Sequence, residues 1–366
     1  MGLNFGINGS VSVNASRPIT IESSTPIAIV GTTNIGTLGL QFFGNSELAL
    51  EQFKNSTIGT LKNALIAIEA QGVRCPIIIN AVDDGATETE IIEAINGLKR
   101  AEAVLGYRPD LIVCPLHSGD RDVAMAMDSV ASRLWATAIV DCNATTETEA
   151  VAFGLNFGSR FVLVVNPATV KINNIVMPSS PAWAGLIAGT DASNPVGWAE
   201  SSSNRVVKGV AETNRIINYA DGQDSEARRL RNKGINSIVR DVGWRSYGFE
   251  TTDIDPIWMP LNRVRAFYKM LRAITLASKW ARDRQADELL YVRQSIVDFM
   301  NTLKGQGVVL GFEAFFDPLK NTKATVTNGQ FFLSVEVQDM PTIRELNIEL
   351  VYVDNYSDVL LNIING

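Results

Sequence analysis

The sequence predicts an α/β protein: an open, doubly wound, mostly parallel sheet domain, a C-terminal α+β domain, and extended strand arms at both ends. Short and almost continuously apolar runs alternate with helical patterns between residues 26 and 189. This alternation is typical of parallel strands that are covered on both faces. The C-terminal third instead places long helices before strands, and alternating apolar residues near both ends predict strands with no partner in the same chain.

The elements of the α/β domain follow from its apolar runs and from its turn residues. Thr87 precedes Glu90 at the spacing of a capping box, and glycines follow three helical runs where a left-handed residue ends a helix, at Gly72, Gly106 and Gly154. The predicted strands are 27–30, 77–82, 111–114, 138–141 and 161–165. The helical patterns between them are 60–71, 88–105, 120–135 and 145–153.

The longest helical pattern in the chain covers residues 261–305, and we expect two helices broken near Gln285. Three strands are predicted after it, at 311–316, 330–338 and 343–353. A stretch rich in Ser, Asn, Gly and Pro at 191–203 and the turn at 253–256 indicate lobe boundaries. The predicted organisation is an N-terminal arm at 1–21, the α/β domain at 22–253, the α+β domain at 254–348 and a C-terminal arm at 349–366.

Both predicted arms carry apolar side chains that one copy of the chain leaves without a strand partner. In the N-terminal arm these residues alternate with small polar ones, and in the C-terminal arm they follow a predicted strand at 346–353. Unpaired strands expose backbone donors and acceptors, which an assembling subunit can use to complete a neighbour's sheet. The candidate inter-subunit residues are Leu3, Phe5, Ile7, Val11, Val13, Val359, Leu361 and Ile363.

The composition is that of an ordinary globular chain with a large core. The chain has 366 residues, of which 46% are hydrophobic, and a formal charge of −7. Its three cysteines are far apart within or beside apolar runs, which favours buried thiols over a disulfide or a metal site. No apolar run is long enough to cross a membrane and no secretory signal precedes the first strand, so we expect a protein kept inside a cell. The charge is unevenly spread, with 18 Lys and Arg against 12 Asp and Glu in residues 205–304.

Two features could support an enzyme or a nucleotide-binding protein, which is the alternative function. Gly31, Gly36 and Thr37 belong to a glycine-rich loop after a strand, but the loop lacks the lysine of a phosphate-binding loop. His117 lies where a strand ends, the usual place for a site in an open α/β sheet. A helix-capping role for the neighbouring Ser118 or Asp120 explains the same residues. We therefore expect no catalytic residue, cofactor or metal.

Acidic residues before and within the first turn of the helix that begins at residue 88 could suggest a divalent metal. Acidic side chains at a helix N-terminus also stabilise the helix dipole, which is the simpler interpretation.

A basic stripe runs along the helical pattern at 263–284, which contains seven basic residues and one acid. At 100° per residue, four of them fall within an arc of roughly 80°, with apolar residues on the opposite side. Such a stripe is either a solvated face or a docking surface for an anionic partner, an acidic protein or a nucleic acid. The four residues are Arg265, Lys269, Arg272 and Lys279.

Taken in order along the chain, several segments resemble the sheath protein of contractile phage tails and related contractile injection systems. They include Phe5-Gly-Ile-Asn-Gly-Ser, Ser24-Thr-Pro-Ile-Ala-Ile-Val-Gly, Gly106-Tyr-Arg-Pro-Asp-Leu-Ile-Val-Cys-Pro, Asn194-Pro-Val-Gly-Trp, Tyr247-Gly-Phe-Glu-Thr and residues 264–280. None of these motifs is specific alone, and their order carries the resemblance. The α/β domain of this family is often called subtilisin-like, but a single histidine cannot be matched here to a serine-protease triad.

The resemblance implies a structural subunit of a virion tail that is assembled in the bacterial host cytoplasm. Such subunits form stacked hexameric rings around a tail tube, exchange terminal strands with neighbours, and contract from a metastable extended state without a nucleotide. The implied partners are other copies of the chain, the tube protein, and the baseplate and tail terminator proteins, with no membrane insertion and no direct nucleic acid contact. The basic stripe is the candidate tube-facing surface.

Overall fold

The computed structural model describes residues 17–22 and 24–365, and the predicted N-terminal arm residues from Leu3 to Val13 lie outside the described residues. The strands are β1 (Ile27–Thr33), β2 (Gly39–Phe43), β3 (Ile77–Asp83), β4 (Leu111–Val113), β5 (Thr137–Asp141), β6 (Val162–Val165), β7 (Thr169–Ile172), β8 (Ile175–Pro178), β9 (Val210–Thr213), β10 (Ile235–Arg240), β11 (Trp244–Tyr247), β12 (Val309–Phe316) and β13 (Leu333–Asp339).

Eight of these strands form one sheet in the order β11-β10-β6-β5-β4-β1-β3-β2. Only the edge strands β2 and β11 run antiparallel to their neighbours, so the predicted mixed α/β fold with a mostly parallel central sheet is confirmed. Every residue of β1, β4, β5 and β6 is buried, which explains their almost continuously apolar sequences. A second, antiparallel sheet has the order β8-β7-β9.

Helices cover both faces of the central sheet. They are α1 (Ser46–Phe53), α2 (Leu61–Ala70), α3 (Glu88–Gly97), α4 (Ala101–Leu105), α5 (Arg121–Leu134), α6 (Glu147–Gly154), α7 (Ser179–Asp191), α8 (Glu226–Arg231), α9 (Leu261–Ala277), α10 (Leu289–Gly305), α11 (Lys323–Thr327) and α12 (Ser357–Asn365). One apolar core packs α1, α2 and α7 against the sheet, and a second packs α3, α5 and α6 against the other face. No helix among the described residues is long and apolar enough to cross a membrane.

The helix-boundary predictions are mostly confirmed. Thr87 and Glu90 form the capping box at the start of α3, and Gly72 and Gly106 adopt positive φ angles of 74° and 77° after helical turns. The prediction for Gly154 is wrong, because this residue is the last helical residue of α6. A Cβ there would lie 3.4 Å from Ile235, an ordinary van der Waals contact, so the position does not require a glycine.

The C-terminal body is built from α9, α10 and the β12-β13 hairpin around a third apolar core. The predicted break near Gln285 is confirmed, since short 3-10 turns at Lys279–Ala281 and Ala286–Glu288 separate α9 from α10. The hairpin is a sheet of only two strands, so each strand has one edge without a hydrogen-bonded neighbour among the described residues.

Two predictions for the C-terminal arm are wrong. Residues 343–353 form no strand, because no neighbouring strand in the described chain accepts their backbone hydrogen bonds. The run containing Val359, Leu361 and Ile363 is the helix α12 rather than a strand. Two pairs of its apolar residues are four positions apart, 359 with 363 and 360 with 364, and this spacing places both members of a pair on one face of a helix.

Candidate assembly surfaces

The predicted basic stripe on α9 is largely an internal joint. Arg265 is 5% exposed, and both of its terminal nitrogens bond Asp191 at the end of α7, one of them at 2.8 Å. Thr25 donates a third hydrogen bond to the same carboxylate. The expectation of a free positive face is therefore wrong at Arg265. Its guanidinium forms an ion pair with Asp191 that holds α9 against the α/β domain.

The next two residues of the stripe share a second carboxylate. Lys269 Nζ lies 2.6 Å from Asp110 Oδ2, and Arg272 Nη1 lies 3.4 Å from Asp110 Oδ1. Arg272 also reaches Glu22 at 3.2 Å. The side chains of Lys269 and Arg272 are only 12% and 13% exposed. Of the four predicted residues, only Lys279 is exposed.

Electrostatics at this joint favour the charged forms. Burial by itself would raise the pKa of Asp191, but the charge of Arg265 and its hydrogen bonds outweigh burial, so the pKa of Asp191 lies below its usual range. Burial would likewise lower the pKa of Arg265, yet Asp191 raises it. A buried ion pair of this kind costs much stability if one partner is removed, because the other charge is left uncompensated.

The features that could have indicated an enzyme have structural explanations. Gly31 lies within β1, and a Cβ there would approach Leu61 to 2.7 Å, so the glycine allows α2 to pack on the strand. Asp120 caps α5. Ser118 Oγ donates to the buried Asp141 at 3.2 Å, so its hydroxyl is not paired with His117. Burial lowers the pKa of His117.

Asp141 is a buried carboxyl that joins two loops at the carboxyl end of the sheet. It accepts hydrogen bonds from Ser118 and from the backbone and side chain of Ser180 at the start of α7. Burial raises the pKa of Asp141 to about 7, although these hydrogen bonds lower it in part. No cluster of three potential metal ligands occurs among the described residues, and the arrangement serves to hold the loops together.

An apolar groove opens between α9, α10 and the inner face of β13. Its volume is about 700 Å³, and no acidic residue lines it. Lys279 and Arg282 lie on its rim, and neither is within 4.0 Å of a carboxylate in the described part of the chain. Apolar side chains that line the groove are Leu271, Ile274, Ile296, Leu333, Val335 and Val337.

The C-terminal segment, defined here as residues 345–365, is exposed throughout. It carries four acidic residues and no Lys or Arg. Its apolar residues are between 49% exposed, at Val353, and 94% exposed, at Leu350. Contiguous apolar surface of this kind marks an interaction site rather than a monomer surface.

The two ends of α9 hold the starting points of both arms. Near its C-terminal end, the guanidinium of Arg17 lies 4.3 Å from the ring centroid of Trp280, and Glu22 pairs with Arg272 as described above. Near its N-terminal end, Arg263 Nε bonds Asp339 at 2.9 Å. Sequence patterns contained no signal for these contacts, because each joins residues far apart in the chain.

No protein-family model matches the chain. It is 32% identical over 305 residues to a prophage major tail sheath protein of Pseudomonas aeruginosa (strain UCBPP-PA14), an alignment that covers 81% of this chain and 78% of that protein. The chain belongs to the tail sheath protein family. It is also 25% identical over 339 residues to the tail sheath protein of Escherichia phage P2, with 84% of each chain covered.

Solved structures of contractile injection systems share the fold of this tail sheath protein. The sheath of the extracellular contractile injection system PVC in its contracted state matches with a TM-score of 0.74 at 17% identity, covering 98% of this chain and 99% of that one. The helical sheath of the anti-feeding prophage in its contracted state matches with a TM-score of 0.72 at 16% identity, covering 96% and 99%. The predicted resemblance is confirmed, and the relatives are structural sheath proteins.

Proposed function

We propose that this tail sheath protein is the repeating subunit of a contractile sheath, in which copies form stacked hexameric rings around a tail tube. The observation that carries the proposal is the apolar and acidic C-terminal segment, which stays exposed on the described part of its own subunit. The sheath contracts from a metastable extended state and drives the tube through the envelope of the target cell. A release of about a few kcal/mol per subunit suffices when many subunits switch together.

The C-terminal segment of one copy docks on the C-terminal body of a second copy. Two properties of the body support this pairing: the apolar groove beside β13, and the open edges of the two-stranded hairpin. Backbone pairing at an open edge also survives rotation of the two bodies, which a contracting sheath requires.

The N-terminal arm at residues 1–21 links to a further copy, with Leu3, Phe5, Ile7, Val11 and Val13 as its contact residues. Its described part already runs along the C-terminal body, where Ile19 and Ile21 pack against the third apolar core. Each subunit would then be joined to its neighbours through both ends of its chain.

The tube-facing contact shifts from the stripe to the turn between α9 and α10. Lys279, Arg282 and Arg284 are exposed there, whereas Arg265, Lys269 and Arg272 are paired within the subunit. Exposed charges give weak, salt-screened attraction, which holds a tube in the extended state and still lets it slide. Baseplate and tail terminator proteins cap the two ends of the sheath, which is part of a virion tail assembled in the host cytoplasm.

Negative-stain electron microscopy of the purified full-length chain tests the proposal. The full-length chain is expected to form striated hollow cylinders, and deletion of residues 355–366 or of residues 1–16 is expected to give soluble, folded subunits that form none. Globules from the full-length chain would contradict the sheath function, and wild-type cylinders from either truncated chain would contradict the assignment of that arm. Circular dichroism of the truncated subunits is the control that tests whether they are folded.

A further inference from the structure

The chain is fastened to the body at three successive points just before the C-terminal segment begins. Arg263 Nε lies 3.0 and 2.9 Å from the two carboxylate oxygens of Asp339. Asn262 Nδ2 donates to Thr342 Oγ1 at 3.1 Å. Arg344 makes the third contact. All residues from 340 to 365 are exposed, and beyond Arg344 no hydrogen bond joins the described segment to the body. The Arg344 contact is therefore the last point at which the exposed chain is held.

Arg344 binds a buried carboxylate of the α/β domain that already has a partner. Arg344 Nη2 lies 2.7 Å from Glu250 Oε2. The other carboxylate oxygen, Oε1, accepts from Nη2 and Nε of Arg231 at 2.9 and 3.1 Å. Glu250 is held rigidly, because its backbone N–H donates to Asn236 Oδ1 at 2.7 Å and its carbonyl accepts from Asn236 Nδ2 at 2.8 Å.

The two arginines are not equivalent. The side chain of Arg344 is 47% exposed, whereas that of Arg231 is 23% exposed and that of Glu250 only 4%. When Arg344 departs, Glu250 keeps Arg231, so no buried charge is left unpaired, and Arg344 regains water. Loss of the Arg344 contact therefore does not carry the large free-energy penalty of breaking a buried ion pair.

We infer that the Arg344–Glu250 contact is a releasable latch that fixes the direction in which the C-terminal segment leaves the subunit. The inference rests on the proposed function, in which this segment links to a second copy. Closed, the latch holds the start of the segment in one orientation and so reduces the ordering that assembly requires. Open, it lets the segment pivot about the Asp339 and Thr342 contacts while the linked bodies rotate.

The test compares Arg344→Gln with Lys320→Gln in the full-length chain. Lys320 is a matched control, because its side chain is 59% exposed and pairs with the partly buried Asp317 on the same body, away from the segment. In soluble R344Q that also carries Leu346→Cys, a spin label at this exposed position is expected to be more mobile than in the same Leu346→Cys chain with Arg344 in place, with a melting temperature within about 2 °C. The critical concentration for polymerisation is expected to rise about 3- to 10-fold, as for loss of one half-exposed charged hydrogen bond. Arg344→Lys keeps the positive charge, and its critical concentration is expected to lie between those of the wild type and R344Q.

Unchanged spin-label mobility in R344Q would overturn the latch, and so would equal critical concentrations for R344Q and K320Q. Failure of the wild-type chain to polymerise would contradict the proposed function instead. The mobility measurement on the soluble subunit would still decide whether the latch exists.

Discussion

At the scale of single residues, the subunit is held together by a few charged side chains that are buried and paired. Arg265 and Asp191 join α9 to α7. The two side chains neutralise each other within the subunit, so neither charge is available to a partner protein. Asp141 ties the start of α7 to the loop after β4 through Ser118 and Ser180. These contacts fix the position of α7 relative to α9 and to the sheet.

Replacement of Asp191 by Asn should destabilise the folded subunit, because Arg265 would remain buried without its carboxylate. The free energy of unfolding is expected to fall by about 3–5 kcal/mol. Urea denaturation at protein concentrations too low for polymerisation measures this free energy. The control is Lys54→Gln, which removes an exposed ion pair with Glu51 and should change the value by less than about 1 kcal/mol. Equal effects of the two substitutions would contradict the structural role of the Arg265 pair.

The buried Asp141 should make stability depend on pH in an unusual direction. Its pKa is about 7 in the folded state, which is above the value of a carboxyl in an unfolded chain. The folded state therefore binds the proton more tightly, and this contribution is complete below about pH 4 and is lost as pH rises to about 7.

The stability of the wild type relative to Asp141→Asn is expected to fall across this window, by at most about 1.4 kcal/mol per pH unit. Chemical denaturation of both proteins from pH 4 to 8 measures the difference. A difference that does not change with pH would show that the carboxyl titrates at its ordinary value.

At the scale of elements, α9 is the central connector. Its 17 residues span about 25 Å, its middle is fixed to the α/β domain, and its two ends hold the roots of the arms. The turn that follows it exposes Lys279, Arg282 and Arg284, which are the proposed tube contact.

Charge reversal in this turn, Lys279→Glu with Arg282→Glu, should weaken binding to the tail tube about tenfold at low salt, since two attractive contacts become repulsive. Co-sedimentation with assembled tubes at increasing salt measures it. Lys304→Glu with Lys323→Glu is the matched control, because both lysines are exposed on the same body outside the turn. Equal binding by the two double variants would remove the turn from the tube contact.

Elements that depend on a local sequence period could be predicted, and contacts between distant residues could not. The parallel strands, the helices between them and the break near Gln285 each follow from apolar spacing. Helical spacing also placed Arg265 and Lys269 on one face of α9. It did not reveal that Asp191 and Asp110 cover that face, because those partners come from other elements. The spacing of four between apolar residues of α12 is visible in the sequence and indicates a helix, whereas the strand prediction for this arm relied only on its apolar content.

At the scale of the whole molecule, the subunit combines a rigid body with exposed ends. The central sheet, its two layers of helices and the C-terminal body are tied together by buried apolar cores and by the α9 joint. The C-terminal segment stays outside. A sheath built from such subunits can change the packing of its bodies while its links persist.

The native cysteines allow a direct test of that link. Cys75, Cys114 and Cys142 are buried, and burial raises the pKa of each thiol, to about 12 for Cys75 and about 11 for Cys142. They should therefore remain unreactive while introduced cysteines form disulfides.

Disulfide trapping between two variants tests the central claim, that the C-terminal segment of one copy docks on the C-terminal body of another. One variant carries Leu361→Cys in α12, and the other carries Leu271→Cys in the groove; both positions are exposed. Mixed before polymerisation and then oxidised, they are expected to give a disulfide-linked dimer that contains one copy of each variant. Polymers that form without this mixed dimer would contradict the account.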